Sequence, residues 1–468
     1  MKLAKNLKRE TVAELLFLFG LFCFYMMWAV IQPFNASPDE HMRYQVVEYI
    51  YQHGALPRGD EPSILNPIWG ISYAFNPILS YIIGAGFMKA AGLVTTEPFI
   101  LLIAARLVNV LCGVVTAYYV LRIGKKLFAP HKAWLFTILV TTLPGAVFLY
   151  SYVNTDAMAI MSTAMIVYAW ICGIDSRWSY KDCILLSAGI AFCALSYYNA
   201  YGFILCSILI FGSTLLIDAQ ENREYKTFWT RGIFVCILVL TLIGWWFGRN
   251  YILYDGDFLG RNASAACAEL NAQIGFKPSD RLTPQKEGMS VLQMLRFGYA
   301  NTNLSWIELT ARSFVGRFGF LDICMETWTE NTYLYFVGIG LLGIVLKPVL
   351  TFAIVDKHGL RKEGIFHWCM LISLIIPNVL SIYYSYASDY QPQGRYCMPM
   401  LIPLVYFMSV GYENILDKLI KNDKIQEVVY AVICVLLAVL SIYVYAAIFY
   451  PAYITPDFSI ETLFLSAV

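Results

Sequence analysis

In the stretch "NASPDEHMRYQVVEYI", residues 35–50, two adjacent acids and a histidine, Asp39, Glu40 and His41, follow directly on a long apolar run. A carboxylate so placed can act as a general base on a hydroxyl, or hold a divalent cation against a phosphate. The local pattern also has a structural reading. Ser37 fits a helix N-cap, Pro38 the first helical position, and Glu40 the third, where it closes a capping box. That arrangement occupies Glu40 and leaves Asp39 the freer group. A helix dipole starting there keeps the carboxylate ionised. Asp39 and Glu40 are therefore the candidate catalytic pair, with Asp39 the expected base.

Four further segments carry polar groups of matching chemistry. Asp156 ends "YVNTD", where it either caps the next helix or approaches Asp39 to complete an acidic floor. With a divalent cation, Mg or Mn, Asp39 and Asp156 would be its ligands. Phosphate favours arginine, which offers a planar two-toothed fork. Arg395, in Gln393-Gly394-Arg395-Tyr396, stands at the mouth of an apolar run, and Gly394 permits close backbone approach. Arg317, in "VGRFG", is the second such arginine. Asp156, Arg395, Arg317, His41 and Tyr396 form the candidate binding set, although His41 also reads as a polar-face interfacial residue. Arg106 lies inside an apolar run, which makes it a functional or pairing residue.

The elements that must position these groups are membrane helices. Of 468 residues, 59% are hydrophobic and only 14% charged, against about a quarter charged in soluble domains. Apolar runs have the length that crosses a bilayer as a helix, and the alternating segments of a β-barrel are missing. No basic stripe points to nucleic acid. The twelve cysteines are scattered, with no CxxC pair. Cys267 and Cys324 fall on one side and could pair as a disulfide.

The expected spans are 11–32, 99–122, 133–152, 155–174, 182–199, 201–217, 232–251, 331–354, 365–385, 397–415 and 427–450. The run 72–91, with Asn76-Pro77, Gly84, Gly86 and Lys89, reads as juxtamembrane or re-entrant. Basic residues sort the loops. Lys125, Lys126 and Lys132, then Arg177 and Lys181, Arg223, Lys226 and Arg231, Lys357, Arg361 and Lys362, and Lys418, Lys421 and Lys424 mark the cytoplasmic side. The N-terminus is cytoplasmic and the C-terminal tail outside. This gives an all-α polytopic membrane protein of about 11 spans, 11–13 at the limits, forming a single domain over 1–468. Its first outward loop, 33–98, carries interfacial helices, and a large outward loop, 252–330, forms a partly helical cap. Trp245, Trp246, Trp306 and Trp328 read as interfacial belt residues.

The order of motifs resembles the GT-C glycosyltransferases, which include protein mannosyltransferases, bacterial aminoarabinose transferases and oligosaccharyltransferases. "FNPILSYIIG" resembles their proline-containing segment, with Asn76-Pro77 replacing a double proline. "ARLVNVLCGVVTAYYVLRIGKKLF" resembles their "RL" helix, and "LPGAVFLYSYVNTDAMAI" their second outward loop. More narrowly, "PDEHMRY", "VNTDA", "SFVGRFGFLD" and "QGRYCMPML" together resemble a large bacterial family of predicted membrane proteins. The resemblance implies a bundle in a bacterial plasma membrane with its active site on the extracytoplasmic face. It implies transfer of a sugar from a polyprenyl-phosphate donor, such as an undecaprenyl phosphate sugar, to a glycan, glycolipid, cell-wall polysaccharide or protein, with inversion. The residues leave two alternatives, a transporter or flippase for a lipid-linked glycan and a polysaccharide ligase or polymerase. Transporters place ionisable groups near the midplane and often carry inverted repeats, whereas these charges gather at one surface.

Overall fold

The computed structural model describes residues 2–217, 224–299, 304–346, 350–356 and 359–454. Arg223, Lys357 and the tail from 455 lie outside the described residues. The first half comprises α1 (Lys2–Ile31), α2 (Glu40–His53), α3 (Leu79–Gly92), α4 (Pro98–Leu127), α5 (Pro130–Thr141), α6 (Pro144–Leu149), α7 (Asp156–Ser176), α8 (Tyr180–Ala194), α9 (Gly202–Leu216) and α10 (Tyr225–Leu253). Three short helices follow, α11 (Arg261–Asn271), α12 (Val291–Arg296) and α13 (Trp306–Gly316). A small hairpin pairs β1 (Arg317–Phe318) with β2 (Ile323–Cys324). Then come α14 (Thr327–Leu346), α15 (Lys362–Ala387), α16 (Leu401–Leu419), α17 (Asp423–Tyr443) and α18 (Tyr450–Tyr453).

Among the described residues, eight helical stretches are long and apolar enough to cross a membrane. Three of the expected spans are not among them, for local reasons. The run 133–152 breaks before Pro144 into α5 and α6, since the residue before a proline disfavours helix. The run 182–199 yields only the fifteen residues of α8. The run 397–415 is divided at Met400 between a 3₁₀ turn, Gly394–Met400, and α16. The run 72–91 gives α3, whose fourteen residues are about 21 Å long and too short to cross.

The two ends of the bundle carry separate sets of ion pairs. At one end Arg122 and Lys125 hold Glu14, Lys126 holds Asp175, Lys132 holds Glu413 and Asp417, and Arg177 holds Glu224. At the other end lie the close of α1, the start of α2 and the 3₁₀ turn with Arg395. Along α4, Arg106 and Lys125 are about 28 Å apart at helical rise. The interrupted run 133–152 carries the chain between these ends. Thus α5 starts beside Lys132, whereas α6 ends beside the acids.

The core lies around α7 and α16, which are buried along most of their length, with α4, α5 and α14 packed against them. α10 is buried along almost none of its length. Two of the four belt tryptophans are not at the surface. Trp246 and Trp306 are buried in apolar clusters, and only Trp245 and Trp328 are exposed. Apolar rings that fill a core contact outweigh the belt preference there. Cys267 and Cys324 are unpaired: Cys267 is buried with its thiol on the Gly70 carbonyl, and Cys324 is exposed.

Candidate functional site

The acidic stretch does not form a capping box. The helix begins at Glu40, and Asp39 is its cap residue, in the left-handed region with φ 65° and no side-chain cap hydrogen bond. Aspartate tolerates that conformation better than most residues. Glu40 is instead completely buried against Arg106. Arg106 donates from Nε to Glu40 Oε1 at 2.8 Å and from Nη2 to Oε2 at 2.7 Å. It also donates to the carbonyls of Ala29 (2.7 Å), Gln32 (2.6 Å) and Pro33 (3.0 Å), closing the end of α1. The same carboxylate accepts from the backbone N–H of Asn35 and of Val153, each at 3.1 Å. A two-toothed ion pair with every remaining lone pair occupied outcompetes a solvent-exposed cap. Glu40 therefore ties α1, α2, α4 and the 150–155 loop together, and its carboxylate is enclosed rather than available to a ligand.

That clamp sets Asp39 at the head of a second cluster. Arg395 donates from Nη2 to Asp39 Oδ2 at 2.8 Å. Arg43, one helical turn along α2, lies 3.8 Å from Asp39 and 3.1 Å from Asp156. Its guanidinium also sits over the Tyr73 ring, 4.8 Å from the centroid. Asn154 accepts from the Ala157 N–H just ahead of α7, and the Asp156 carboxylate pairs with Arg43. Tyr396 accepts from Arg395 at 3.0 Å and donates to Gln391 at 2.7 Å, with its ring stacked near Tyr197.

Burial pushes the Asp39 carboxyl up, but the charges of Arg395 and Arg43 and hydrogen bonds from Arg395 and Tyr73 outweigh it and hold the pKa below the ordinary value. A folded value below the unfolded one adds stability above the unfolded pKa and loses it as pH falls through the folded pKa. In Arg395→Ala the opposing charge is reduced, so the Asp39 titration moves to higher pH. Thermal stability followed from about pH 7 downward should then fall earlier in the variant than in the wild type. An unmoved acid limb would remove Arg395 as the cause.

A cleft opens beside this pair. It is bounded by Pro38, by Phe148 and Tyr152, by Ser313 and Arg317, and by Gln393 and Arg395. The Nε and Nη1 groups of Arg395 and the amide oxygen of Gln393 make no close hydrogen bond to the described residues, and the Tyr152 hydroxyl faces the same guanidinium. Arg317 is aimed by Glu330, which is buried and also accepts from Arg312. Gly394 makes the approach possible: a Cβ there would lie 2.1 Å from the Phe314 nitrogen, and its N–H donates to Ser313 at 2.8 Å. Arg395 and Arg317 thus line one small cavity, and Asp39 pairs with the same Arg395.

Asp39, Asp156, Arg395 and Tyr396 converge, and Arg317 lines the adjoining cleft. His41 does not join them: its ring packs edge-on against Phe34 at 5.7 Å, and burial pushes its pKa down. Arg43 is not among the candidates that the sequence offers, although its spacing of four from Asp39 on one helix is a pairing signal. Among the described residues no three histidine, cysteine, aspartate or glutamate side chains converge. Between Asp39 and Asp156 stands the Arg43 guanidinium, so this donor set does not fit a divalent cation.

Residues 63–405 match the family described as Predicted membrane protein (DUF2142). The chain belongs to that family. The match includes Arg106, Asp156, Arg317 and Arg395, whereas Asp39 and Arg43 precede it. No curated protein matches the chain in sequence. The DUF2142 fold is shared with the Archaeoglobus fulgidus oligosaccharyltransferase in its apo form, at 12% identity and TM-score 0.52 over 91% of this chain and 55% of that one. The same enzyme tethered to an acceptor peptide gives 11% identity and TM-score 0.53, over 91% and 54%. ArnT from Cupriavidus metallidurans, in the apo state, gives 11% identity and TM-score 0.40, over 86% and 78%. The two oligosaccharyltransferase structures show that this chain shares their fold, and it spans about half the length of the archaeal enzyme.

Proposed function

We propose that this DUF2142 protein is a glycosyltransferase that moves a sugar from a polyprenyl-phosphate donor to an extracytoplasmic acceptor. One observation carries the reading. Arg395 holds the Asp39 carboxylate on one nitrogen, and its other two nitrogens make no close hydrogen bond to the described residues, with the Tyr152 hydroxyl facing the guanidinium, at a cleft that Arg317 also lines. A buried cation with two unmade hydrogen bonds is costly unless a ligand completes it.

In this reading the donor phosphate takes the free edge of Arg395 and the Arg317 guanidinium. The acceptor hydroxyl lies against Asp39. Its oxygen attacks the anomeric carbon, its proton passes to Asp39, and the carbon–oxygen bond to phosphate breaks, so polyprenyl phosphate leaves with the electron pair. Configuration inverts because there is one displacement. Sharing Arg395 with the phosphate weakens its hold on Asp39, which makes the carboxylate more basic when donor is bound. The lysines and arginines at the opposite end of the bundle favour the cytoplasmic side, which turns the cleft outward. The shared fold with an oligosaccharyltransferase supports this class of chemistry; the sugar and acceptor are set by cleft residues with no motif.

Binding of undecaprenyl phosphate to purified protein tests the cleft. Arg395→Ala should weaken it by about 1.5–3 kcal/mol, the worth of a lost charge-assisted hydrogen bond. Arg395→Lys should recover only part, lacking the fork. Equal affinity in wild type and alanine variant would take Arg395 out of the site.

A further inference from the structure

We propose that Arg43 takes the place of a divalent cation between Asp39 and Asp156, so that the reaction centre binds its anionic ligand without a metal. The identity of that ligand as a polyprenyl phosphate rests on the transferase reading; the role of Arg43 does not.

Two carboxylates brought together at the heads of two helices can hold an oxygen-ligated cation. Here the seat is filled. Arg43 reaches Asp156 at 3.1 Å and Asp39 at 3.8 Å, and its side chain is 5% exposed. Tyr73 covers its face. With Arg395 on Asp39, two carboxylates meet two guanidinium groups, so the cluster is neutral before any ion enters. The other nearby carboxylate, Glu40, is already neutralised by Arg106 and has no open lone pair. A metal would have to expel Arg43. A lysine could admit one by losing a proton, but a guanidinium stays charged under all ordinary conditions. The device also differs from a metal in what it does. A metal exchanges with solvent and is lost to chelators. Arg43 is covalently part of α2, which carries Asp39 at its start, so the charge and the base move as one unit.

The probe is Mn2+, followed by electron paramagnetic resonance on the full chain in nanodiscs, with and without undecaprenyl phosphate. Wild type should leave the signal of the free ion unchanged in both states, and EDTA should not alter undecaprenyl phosphate binding. Arg43→Met keeps much of the volume and removes the charge, leaving Asp39 and Asp156 facing each other. It should gain stoichiometric Mn2+, and Asp156→Asn added to it should abolish that gain. Stoichiometric Mn2+ in the wild type that disappears in Asp156→Asn would overturn the proposal. So would a folded Arg43→Met that binds none. If Arg43→Met does not fold, the comparison of wild type with Asp156→Asn decides alone. A protein that ignores undecaprenyl phosphate yet gives the expected Mn2+ results would contradict the transferase reading and leave the role of Arg43 standing.

Discussion

Arg106→Ala is expected to lower stability by about 3–5 kcal/mol, the cost of leaving one member of a buried ion pair without its partner. The variant strands the Glu40 carboxylate at zero exposure and frees the carbonyls of Ala29, Gln32 and Pro33 together. Glu40→Gln is isosteric but strips the charge opposite a buried guanidinium, so it also loses stability. Replacing both by apolar residues, Glu40→Leu with Arg106→Met, should return part of the loss, because burying neither charge avoids the desolvation cost. Unfolding followed by heat in detergent checks all three. Stability equal to wild type in Arg106→Ala would show that the clamp does not hold the end of α1.

Asp39→Asn is expected to lower the transfer rate by about 10²–10⁴-fold, the usual contribution of a positioned base, with little change in fold. Asparagine keeps the size and accepts the left-handed backbone at this position. It also keeps an oxygen for Arg395. What it lacks is the ability to accept a proton. Single-turnover rates and thermal stability on the same preparation separate this variant from those of the clamp. Asp39→Asn should lose rate and keep stability, whereas Glu40→Gln should lose stability first. Full activity in Asp39→Asn would end its assignment as the base.

The contrast between these neighbours shows what a sequence makes legible. Membrane class and the helical positions followed from apolar length, because a bilayer imposes that length on any span. Pro144 and Pro399 interrupted two runs that hydropathy alone joins, since hydropathy averages over a residue that breaks the ladder. Ser37-Pro38-Asp39-Glu40 matched a capping box because that pattern is local. The partner that overrides it, Arg106, is 66 residues away on another helix. Arg106 itself was legible as a residue needing a partner in an apolar run, though not which one. Arg395 and Asp39 are 356 residues apart, and only their chemistry suggested that they meet. Arg43 carried a local signal, four residues from Asp39, but its second contact with Asp156 required the packing of α2 against the start of α7. His41 shared the acids' position but points its ring at Phe34, because a helix turns successive residues to different faces.

The central claim is transfer from a lipid-phosphate sugar with Asp39 as the base. It is tested most directly by offering purified protein a panel of polyprenyl-phosphate sugars with a mixture of glycan and peptide acceptors, and measuring release of polyprenyl phosphate. At least one donor should be consumed by the wild type, with the product inverted at the anomeric carbon, and the same donor should bind Asp39→Asn without turnover. Release at wild-type rate from Asp39→Asn, or a product with retained configuration, would contradict the account.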